Sequence, residues 1–561
     1  MSNGRHTLKF GVAEYRRYRS ENEEPSIERI EFRASESFWE WVVARAPVGS
    51  ITLVLAHNWN FDGGILDPDK GLGKYGYTCR QFINDGRPPV IITFRCENRG
   101  AIKLIDTLNY FVQSIASIGK SLGTEKLPSP SDSATEEEWR AYAWRDVEIM
   151  RDAYLFLRRF VLENDLGRLP ATLASLAFTS FKYRFMHQDI YVHDRDRALQ
   201  IERGSYYGGR VECFYIGELA GEPLYKFDVN SMYPTVMKSE TYSSRIRSYV
   251  RGDAGFSDAI NQYGIAADVT INTDTPIYPY KSAVGLIFPT GRFRLHLSTP
   301  ELRRAYSLGH LEAVHEYATY DTEPIFNDFV DYFYEARLGF QAAGNEAFSY
   351  IAKIILNSLY GKFGQRGRRW EDSDLQTDSP AVIFHVEEIG GPVTKIRNRL
   401  GITQELATNG ESEESCPIIA SEVTGYARLL LWDYIDSVRR AGGFVYYCDT
   451  DSLIVDAKGK DVLEFQTGNG LGLLKLEGTA TDAAFYAPKD YRFGEEVHIK
   501  GVRSPESGKS VYTQSQFTSW GTHLSRGESG FIDIKEITKR LRREYRKGTG
   551  LRFITPIHIE G

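Results

Sequence analysis

Residues 442–457 read GGFVYYCDTDSLIVDA. Two short runs of apolar and aromatic residues flank a polar centre, which predicts two strands joined by a tight turn. Asp449 and Asp451 are two residues apart, so within a strand their side chains would share one face while Thr450 points away. Two carboxylates on one face repel each other, and an apolar strand tolerates them only at an exposed turn or beside a neutralising cation. A hard, oxygen-seeking ion such as Mg²⁺ suits such a pair.

Asp228, at the end of the predicted strand PLYKFD, is a candidate third ligand. Two metal ions bridged by such carboxylates can activate a 3′-hydroxyl and stabilise a leaving pyrophosphate during in-line displacement. The tripeptide DTD taken alone is more simply a solvated hairpin turn. The metal-site interpretation therefore depends on the segments around it.

The bulk composition indicates a globular protein of several subdomains, with 561 residues, 42% hydrophobic and 25% charged content. No apolar run approaches the roughly 18 residues that span a bilayer, and MSNGRHTLKF lacks a signal-peptide core. We therefore expect a cytoplasmic protein with no membrane partner. A zinc site or a disulfide framework is not predicted, because no CxxC pair occurs. Reduced core thiols are expected at Cys79, Cys96, Cys213, Cys416 and Cys448.

The formal net charge of −7 argues against a protein that simply coats nucleic acid. Basic residues nevertheless cluster in RGRR at 366–369 and in KRLRREYRK at 539–547. These clusters allow a phosphate-binding track, although a basic run is more often a solvated helix face.

Three segments occur in order around the aspartates: DVNSMYP at 228–234, KIILNSLYG at 353–361 and YCDTDS at 447–452. Together they closely resemble the three polymerase motifs of the family B DNA polymerases. The resemblance implies a right-hand architecture in which the first and third motifs form the palm and the second forms the fingers. It implies a DNA-directed DNA polymerase that transfers nucleotides from dNTPs to a primer 3′-hydroxyl.

The same resemblance implies the composition of the metal site. Asp228 and Asp451 would be the main ligands, with Val229 beside them and Asp449 in support. Two Mg²⁺ ions, with Mn²⁺ as an alternative, are the expected cofactors.

Five residues are predicted to bind the incoming nucleotide. Lys353 and Asn357 are four apart on a predicted helix and share one face, where the lysine can meet the triphosphate. Tyr360 follows one turn later and offers a ring that can stack on the nascent base pair. Tyr233 resembles the family's steric gate, whose ring takes the space that a ribose 2′-hydroxyl needs. Arg337 is a second candidate triphosphate contact, although a lone helix arginine is usually solvated.

Three weaker motifs resemble the family's contacts with primer-template DNA. SYYGGRVE resembles the YxGG motif, whose glycines let backbone amides approach phosphate. TGYAR and PKDY resemble primer-template contacts, the second as a KxY motif near the thumb. The residues predicted to contact DNA are Tyr206, Gly208, Gly209, Thr424, Arg428, Lys489 and Tyr491.

An upstream half resembles the family's 3′–5′ exonuclease. HNWNFD and YAWRD resemble its second and third motifs, and LIDTLNYF resembles its single-strand-binding segment. The residues that carry this likeness are Asn58, Phe61, Asp62, Thr107, Leu108, Tyr142 and Asp146. Such an exonuclease holds two metals with four carboxylates, but the first motif, an Asp-x-Glu, has no counterpart before Asp62. We therefore expect little or no proofreading, and Glu14 is more simply a surface residue than a substitute ligand.

The implied fold class is a multidomain α/β and α+β chain, with a ribonuclease H-like exonuclease domain followed by palm, fingers and thumb. An irregular stretch at 366–415 resembles the second terminal-protein-region insertion of the protein-primed branch, which occurs in phages and linear plasmids. The alternative stays open that this stretch and the candidate first insertion within residues 261–330 are ordinary surface elaborations. The predicted units are 1–165 exonuclease-like, 166–260 linker and palm, 261–330 palm extension or first insertion, 331–365 fingers, 366–415 second insertion, 416–485 palm and 486–561 thumb.

The expected partners are primer-template DNA and dNTPs, with a terminal protein as a further candidate, and the expected state is a monomer. An encircling insertion could give strand displacement. A self-priming primase-polymerase is the main alternative, since the same palm could bind an initiating nucleotide. An inactive primer-template-binding protein is disfavoured by the presence of the three aspartates and Lys353. A reverse transcriptase is disfavoured because the third motif is YCDTDS rather than a YxDD hairpin.

Overall fold

The computed structural model describes residues 4–18, 24–84, 88–131, 133–283, 285–367, 369–373, 383–387, 393–399, 402–407, 410–503, 505–506, 508–524, 526, 528–541 and 554–560. Within these residues a mixed α/β unit precedes a larger unit built on antiparallel sheets. The predicted α/β and α+β multidomain fold is therefore confirmed. No helix in the described part of the chain combines the length and the apolar composition that crossing a bilayer requires.

The N-terminal unit is organised by a four-stranded sheet. Its elements are β1 (Arg5–His6), β2 (Gly11–Arg17), β3 (Ser26–Phe32), α1 (Ser35–Val43), β4 (Ile51–Ala56), α2 (Trp59–Leu66), α3 (Pro68–Gly73), β5 (Thr78–Ile83), β6 (Ile91–Arg95), β7 (Ala101–Asp106), α4 (Ile115–Leu122) and α5 (Glu136–Glu163). β4 lies parallel to β7, while β6 and β5 continue the sheet in antiparallel fashion. β2 and β3 form a separate antiparallel pair.

The long helix α5 covers this unit. A capping box starts it, because the Thr135 hydroxyl accepts from the Glu138 amide and the Glu138 carboxylate accepts from the Thr135 amide. Ile149, Ala153 and Leu157 follow at four-residue spacing and are fully buried. This spacing places the three side chains on one face of the helix, which packs into the core.

A connecting segment leads to the first palm strands. It contains α6 (Leu173–Ser180), a π-helical turn (Phe181–Phe185), α7 (Asp196–Ser205), β8 (Val211–Cys213), β9 (Gly217–Val229) and α8 (Met232–Ser239). The second half of β9 is the predicted strand that ends near Asp228.

A second antiparallel sheet follows. Its region contains β10 (Tyr242–Arg251), α9 (Phe256–Gln262), β11 (Gly264–Thr273), β12 (Tyr280–Ser282), β13 (Gly285–Ile287), β14 (Thr290–Ser298), α10 (Thr299–Ser307) and β15 (Leu311–Glu323). The sheet order is β10-β15-β11-β14, and β12 and β13 form a separate hairpin. The sheet starts at β10, so the predicted boundary between residues 260 and 261 falls inside it. The pairing of β10 with β15, far along the chain, leaves no local signal in the sequence.

The predicted fingers are two helices, α11 (Asn327–Ala342) and α12 (Glu346–Phe363), which contact each other through Phe340 and Phe348 at 5.7 Å between ring centroids. The stretch at 366–415 then contains β16 (Arg369–Asp372), β17 (Ile383–Glu387), β18 (Val393–Arg399) and β19 (Ile402–Ala407). These strands form an antiparallel sheet in the order β16-β19-β18-β17. The expectation of irregular structure is therefore wrong for the described parts of this stretch.

The palm is completed by α13 (Pro417–Arg440), β20 (Val445–Asp449), β21 (Ser452–Val455), α14 (Ala457–Leu463), β22 (Leu474–Ala487), β23 (Asp490–Phe493) and β24 (Glu496–Ile499). Its sheet has the order β24-β23-β22-β9-β21-β20-β8. The predicted boundary between residues 485 and 486 cuts β22, because β22, β23 and β24 are successive strands of the same sheet. The palm strands therefore continue to Ile499, beyond that boundary.

The C-terminal elements are β25 (Val511–Phe517), α15 (Trp520–Leu524), β26 (Ile532–Arg540) and β27 (His558–Glu560). β26 pairs with β25 and with the N-terminal β1, so the predicted thumb is joined to the exonuclease-like unit. β27 instead lies parallel to β14 and extends the second sheet. Most of the basic segment KRLRREYRK lies outside the described residues, which stop at Leu541 before resuming at Ile554.

Four of the five cysteines, Cys79, Cys213, Cys416 and Cys448, are buried, in agreement with the predicted core thiols. Cys96, in the connection between β6 and β7, is partly exposed.

Candidate active site

The palm strands that carry the aspartates are neighbours. β21 pairs with β9 so that Ser452 lies opposite Asp228, and the Val229 amide donates to the Asp451 carbonyl at 2.8 Å. The ladder therefore brings the Asp228 and Asp451 carboxylates within electrostatic reach of each other.

The DTD segment forms the connection between β20 and β21. Asp449 pairs with Ser452, and Thr450 has a left-handed backbone conformation with φ of 63°. The prediction of a tight turn between two strands is confirmed. The prediction that Asp449 and Asp451 share one strand face is wrong, because the alternation of a strand ends at Asp449.

Burial governs the electrostatics of the two carboxylates. It raises the pKa of Asp228 to about 7, and the Asp451 carboxylate adds to this effect while Lys353 opposes it. Burial also raises the pKa of Asp451, again against the influence of Lys353. Part-buried acids that repel each other gain stability from a bound cation. Their oxygen donors suit Mg²⁺ or Mn²⁺, so the residues present fit the expected ions.

Asp449 has a different partner. Lys489 Nζ lies 3.0 Å from both Asp449 carboxylate oxygens, and the Tyr447 hydroxyl lies 3.4 Å from one of them. The Lys489 amide in turn donates to the Tyr447 hydroxyl at 2.9 Å. The oxygens of Asp228, Asp449 and Asp451 do not all lie within 4.8 Å of one another. This geometry agrees with a supporting rather than a primary role for Asp449.

The predicted nucleotide-binding tyrosines are in contact. Tyr233 of α8 and Tyr360 of α12 stack, with 4.6 Å between ring centroids and an interplanar angle of 24°. Arg337 of α11 donates to the Ser231 hydroxyl at 2.9 Å, and Ser231 is the residue that precedes α8. The fingers helices therefore touch the palm at the start of α8.

Lys353 is exposed on α12, and its charge acts on both Asp228 and Asp451. Asn357, four residues later, donates to the Lys353 carbonyl at 2.9 Å. Lys353 and Asn357 therefore lie one turn apart on α12, and the lysine is near enough for its charge to oppose the raised pKa values of both aspartates.

The loop of the YxGG-like motif lies against the DTD turn. A Cβ atom at Gly209 would come within 3.0 Å of Thr450 and 3.2 Å of the Tyr233 hydroxyl, so a larger residue here would have to displace these side chains by a few tenths of an ångström. An open cleft of about 590 Å³ runs beside the loop. Its lining includes Tyr206, Tyr207, Gly208, Gly209, Lys281 and Leu286.

Three predicted DNA contacts are buried instead. Thr424 and Arg428 are each 2% exposed, and Tyr491 is 7% exposed. Arg428 forms a two-pronged ion pair with Glu301 at 2.9 Å and donates to the carbonyls of residues 207 and 208. The predicted DNA contacts of these three residues stay predictions, and motif likeness gave no signal that their side chains are covered. Through its bonds to the carbonyls of residues 207 and 208, Arg428 holds the YxGG-like loop in place.

The exonuclease-like residues gather where β7 ends. Asp106, which lies inside LIDTLNYF but has no role in the motif likeness, is fully buried and accepts from the amides of Asn58, Trp59 and Leu108. Burial raises the pKa of Asp62 to about 7, and the Asp106 carboxylate adds to this effect. An aspartate directly before a short helical turn often caps it, and Asp106 caps the turn at Thr107–Asn109 in this way.

The third-motif aspartate of this region is already paired. Lys126 forms an ion pair with Asp146, and its Nζ lies 4.3 Å from the centroid of the Tyr142 ring. Thr107 donates to a backbone carbonyl of β4 at 3.2 Å, and Phe61 packs edge-on against a phenylalanine of β25 at 6.2 Å.

Glu14 is not the surface residue that we expected. Its side chain is 3% exposed and forms ion pairs with Arg16, Arg29 and Arg151. The expectation is wrong because arginines from β2, β3 and α5 close over the carboxylate.

Comparison with known proteins gives concordant results. A family model described as DNA polymerase type B, organellar and viral, matches residues 123–376. A probable DNA polymerase of Neurospora intermedia is 25% identical over 353 residues, covering 58% of this chain and 34% of that protein. The DNA polymerase of Streptococcus phage Cp-1 is 25% identical over 474 residues, covering 78% of this chain and 76% of that protein. The chain spans about a third of the length of the fungal relatives it matches.

The fold is similar to that of a solved structure, the Phi29 DNA polymerase in complex with primer-template DNA and incoming nucleotide substrates. The TM-score is 0.69 at 16% identity, over 96% of this chain and all of that one. At this identity the match concerns the fold.

Proposed function

We propose that this chain is a member of the family B DNA polymerases and acts as a DNA-directed DNA polymerase that extends a primer 3′-hydroxyl with dNTPs. The observation that carries the proposal is the pairing of β9 with β21, which brings two part-buried carboxylates together at Asp228 and Asp451. Such a pair costs free energy without a cation, and a structural role alone would not favour it.

Asp228 and Asp451, with Val229 beside them, would hold two Mg²⁺ ions, and Mn²⁺ could replace them. Bound there, the ions would lower the pKa of the primer hydroxyl and neutralise charge on the leaving pyrophosphate. Asp449 supports the site through its ion pair with Lys489, which holds the first aspartate of the turn.

The chain's own residues would position the nucleotide. Lys353 would meet the triphosphate from α12, since its charge already acts on the aspartate pair. The stacked Tyr233 and Tyr360 rings would face the sugar and the nascent base pair. Arg337 would act as a second contact, near the turn that begins α8.

The cleft beside residues 206–209 would take the duplex, with Gly208 and Gly209 offering backbone amides to phosphate.

The phage relatives favour the protein-primed branch of the family. In that case a terminal protein would be a partner, synthesis would displace the non-template strand, and the enzyme would act in the host cytoplasm. We also propose that residues 1–561 lack effective proofreading, because the Asp146 carboxylate is occupied by Lys126.

A primer-extension assay on a circular single-stranded template tests the proposal. With dNTPs and Mg²⁺, product is expected only when a primer is annealed. Product without a primer would move the assignment to a self-priming polymerase, and no product under either condition would contradict synthesis altogether.

Asp228→Asn and Asp451→Asn should each reduce kcat by roughly 10³-fold, about 4 kcal/mol of transition-state stabilisation, while primer-template binding persists. Asp456→Asn is the matched control. Asp456 lies at the end of the same hairpin and caps α14 by accepting from the Gly459 amide at 2.7 Å, a role that asparagine also fills. Full activity in either of the first two variants would refute the assigned metal site.

A further inference from the structure

Arg210 is a fully buried arginine to which none of the roles above is assigned. Its Nη1 donates to the Pro276 carbonyl at 2.9 Å, and its Nε donates to Glu212 at 2.5 Å. The guanidinium carbon lies 4.1 Å from the centroid of the Phe288 ring and 4.8 Å from that of the Trp432 ring. Planar stacking and directed hydrogen bonds together fix an arginine in one orientation. The side chain is thus anchored to the second sheet's loops and to α13.

The backbone of the same residue holds the DTD turn. The Thr450 amide donates to the Arg210 carbonyl at 2.7 Å. This bond continues the ladder between β8 and β20, in which Asp449 lies opposite Val211. Thr450 is β-branched and has φ of 63°, a conformation that persists only when surrounding contacts enforce it. The Arg210 carbonyl supplies such a contact between the two aspartates of the turn.

The residue before Arg210 is Gly209, which packs closely against the DTD turn. A Cβ atom built at Gly209 would lie 3.0 Å from Thr450 and 3.2 Å from the Tyr233 hydroxyl, so the backbone here runs close to both side chains. A shift of the backbone at Arg210 would therefore move the turn, and with it Asp451. No other backbone carbonyl bonded to the Thr450 amide is seen in the described residues.

We propose that Arg210 is a positioning residue for nucleotidyl transfer: its buried guanidinium anchors the carbonyl that fixes Thr450 and so holds Asp451 near Asp228. The proposal rests on the proposed polymerase function. Arg210 touches neither the reacting atoms nor the expected ions, and it acts through the turn.

Arg210→Met keeps most of the side-chain volume and removes the charge and the hydrogen bonds. We expect kcat to fall at least about tenfold, with the Kd for primer-template changed less than about twofold. Backbone hydrogen exchange should accelerate in the peptide that covers residues 447–455 and stay unchanged in α5 and α12. Arg210→Lys, which can still donate and stack, should recover part of both effects.

Arg294→Met is the matched control. Arg294 lies on β14 of the same second sheet and forms an ion pair with Asp268 at 2.6 Å, but its side chain is 59% exposed. This variant should keep wild-type kcat and wild-type exchange in residues 447–455.

Unchanged kcat and unchanged exchange in Arg210→Met would overturn the proposal. Faster exchange throughout the chain would also overturn it, because the arginine would then serve folding alone. If Arg210→Met does not fold, the same two readouts in Arg210→Lys decide. If the wild-type protein makes no product, the polymerase assignment fails, and the exchange measurement still tests the link between Arg210 and the turn.

Discussion

Lys489 is the counter-ion of Asp449, although its place in a KxY motif predicts a contact with DNA. Its side chain is 46% exposed, so the ion pair contributes little to folding stability. The pair instead fixes the orientation of the first aspartate of the DTD turn. An exposed ammonium at this point can also meet a primer phosphate, and the two roles have different consequences for mutants.

A double-mutant cycle separates those roles. Lys489→Met and Asp449→Asn should each lower kcat/KM by about tenfold, and the double variant should lose little more than either single variant, because partners that act as a unit are not additive. Steady-state primer extension measures the three values. Lys458→Met, at an exposed position of α14, is the control and should match the wild type. Additive losses would mean that Lys489 binds DNA independently of Asp449.

At the scale of elements, α13 joins the palm to the second sheet through a buried carboxylate. Glu422 accepts from the Ser243 amide at 2.9 Å, the Ser243 hydroxyl at 2.7 Å and the Thr299 hydroxyl at 2.6 Å. Burial outweighs these bonds and raises the pKa of Glu422 to about 7. The protonated form is therefore favoured in the folded chain relative to the unfolded one.

The raised pKa of Glu422 gives a pH dependence with a definite sign. Its contribution to stability is fully present below the ordinary glutamate pKa near 4.5 and is lost as the pH rises to about 7. Glu422→Gln, which can exchange hydrogen bonds with the same hydroxyls, should gain in unfolding temperature relative to the wild type as the pH rises from 5 to 8. Differential scanning calorimetry across this range measures the difference. Glu335→Gln, at an exposed position of α11, should show a flat difference, and a flat line for Glu422→Gln would contradict the assignment.

At the scale of the whole molecule, the predicted thumb is docked on the exonuclease-like unit. Trp520 of α15 is fully buried against α2, and the Gly530 amide donates to the Gly64 carbonyl at 3.0 Å. The β1–β26 pairing adds two further residue pairs to this junction. The upstream unit therefore has a role in holding the thumb, whatever its hydrolytic activity.

Gly63→Ala tests that role. A Cβ at Gly63 would lie 2.6 Å from the Trp520 ring, which has no room to move, so the two units must separate locally. We expect shorter products per binding event, with single-nucleotide insertion kept within about threefold, in primer extension with a heparin trap. Gly73→Ala is the control, since a Cβ there meets nothing within 4 Å. Wild-type product length in Gly63→Ala would contradict a thumb held by this junction.

The sequence was sufficient for the order of the polymerase motifs, the turn at Asp449 to Ser452 and the expectation that Asp228 and Asp451 belong to one palm site. It was not sufficient to predict that Arg428 and Tyr491 are buried, because a motif match does not show whether a polar side chain is covered. The predicted unit boundaries at 260 and 485 fall inside α9 and β22 for a related reason. Hydrogen bonds between distant strands, such as β10 with β15, set those boundaries and leave no local periodicity.

The uneven burial of the cysteines has a practical consequence for fluorescence work. Burial raises the pKa of Cys213 to about 12 and that of Cys79 to about 12, so neither thiol ionises near neutral pH, and Cys416 and Cys448 are enclosed as well. Cys96 alone of the five is partly exposed, in a connection of the exonuclease-like unit rather than in the palm. A maleimide dye can therefore mark the native protein at one point without removing any cysteine. Together with a second dye on the primer, the dye on Cys96 would report the distance between the exonuclease-like unit and the primer-template duplex during synthesis.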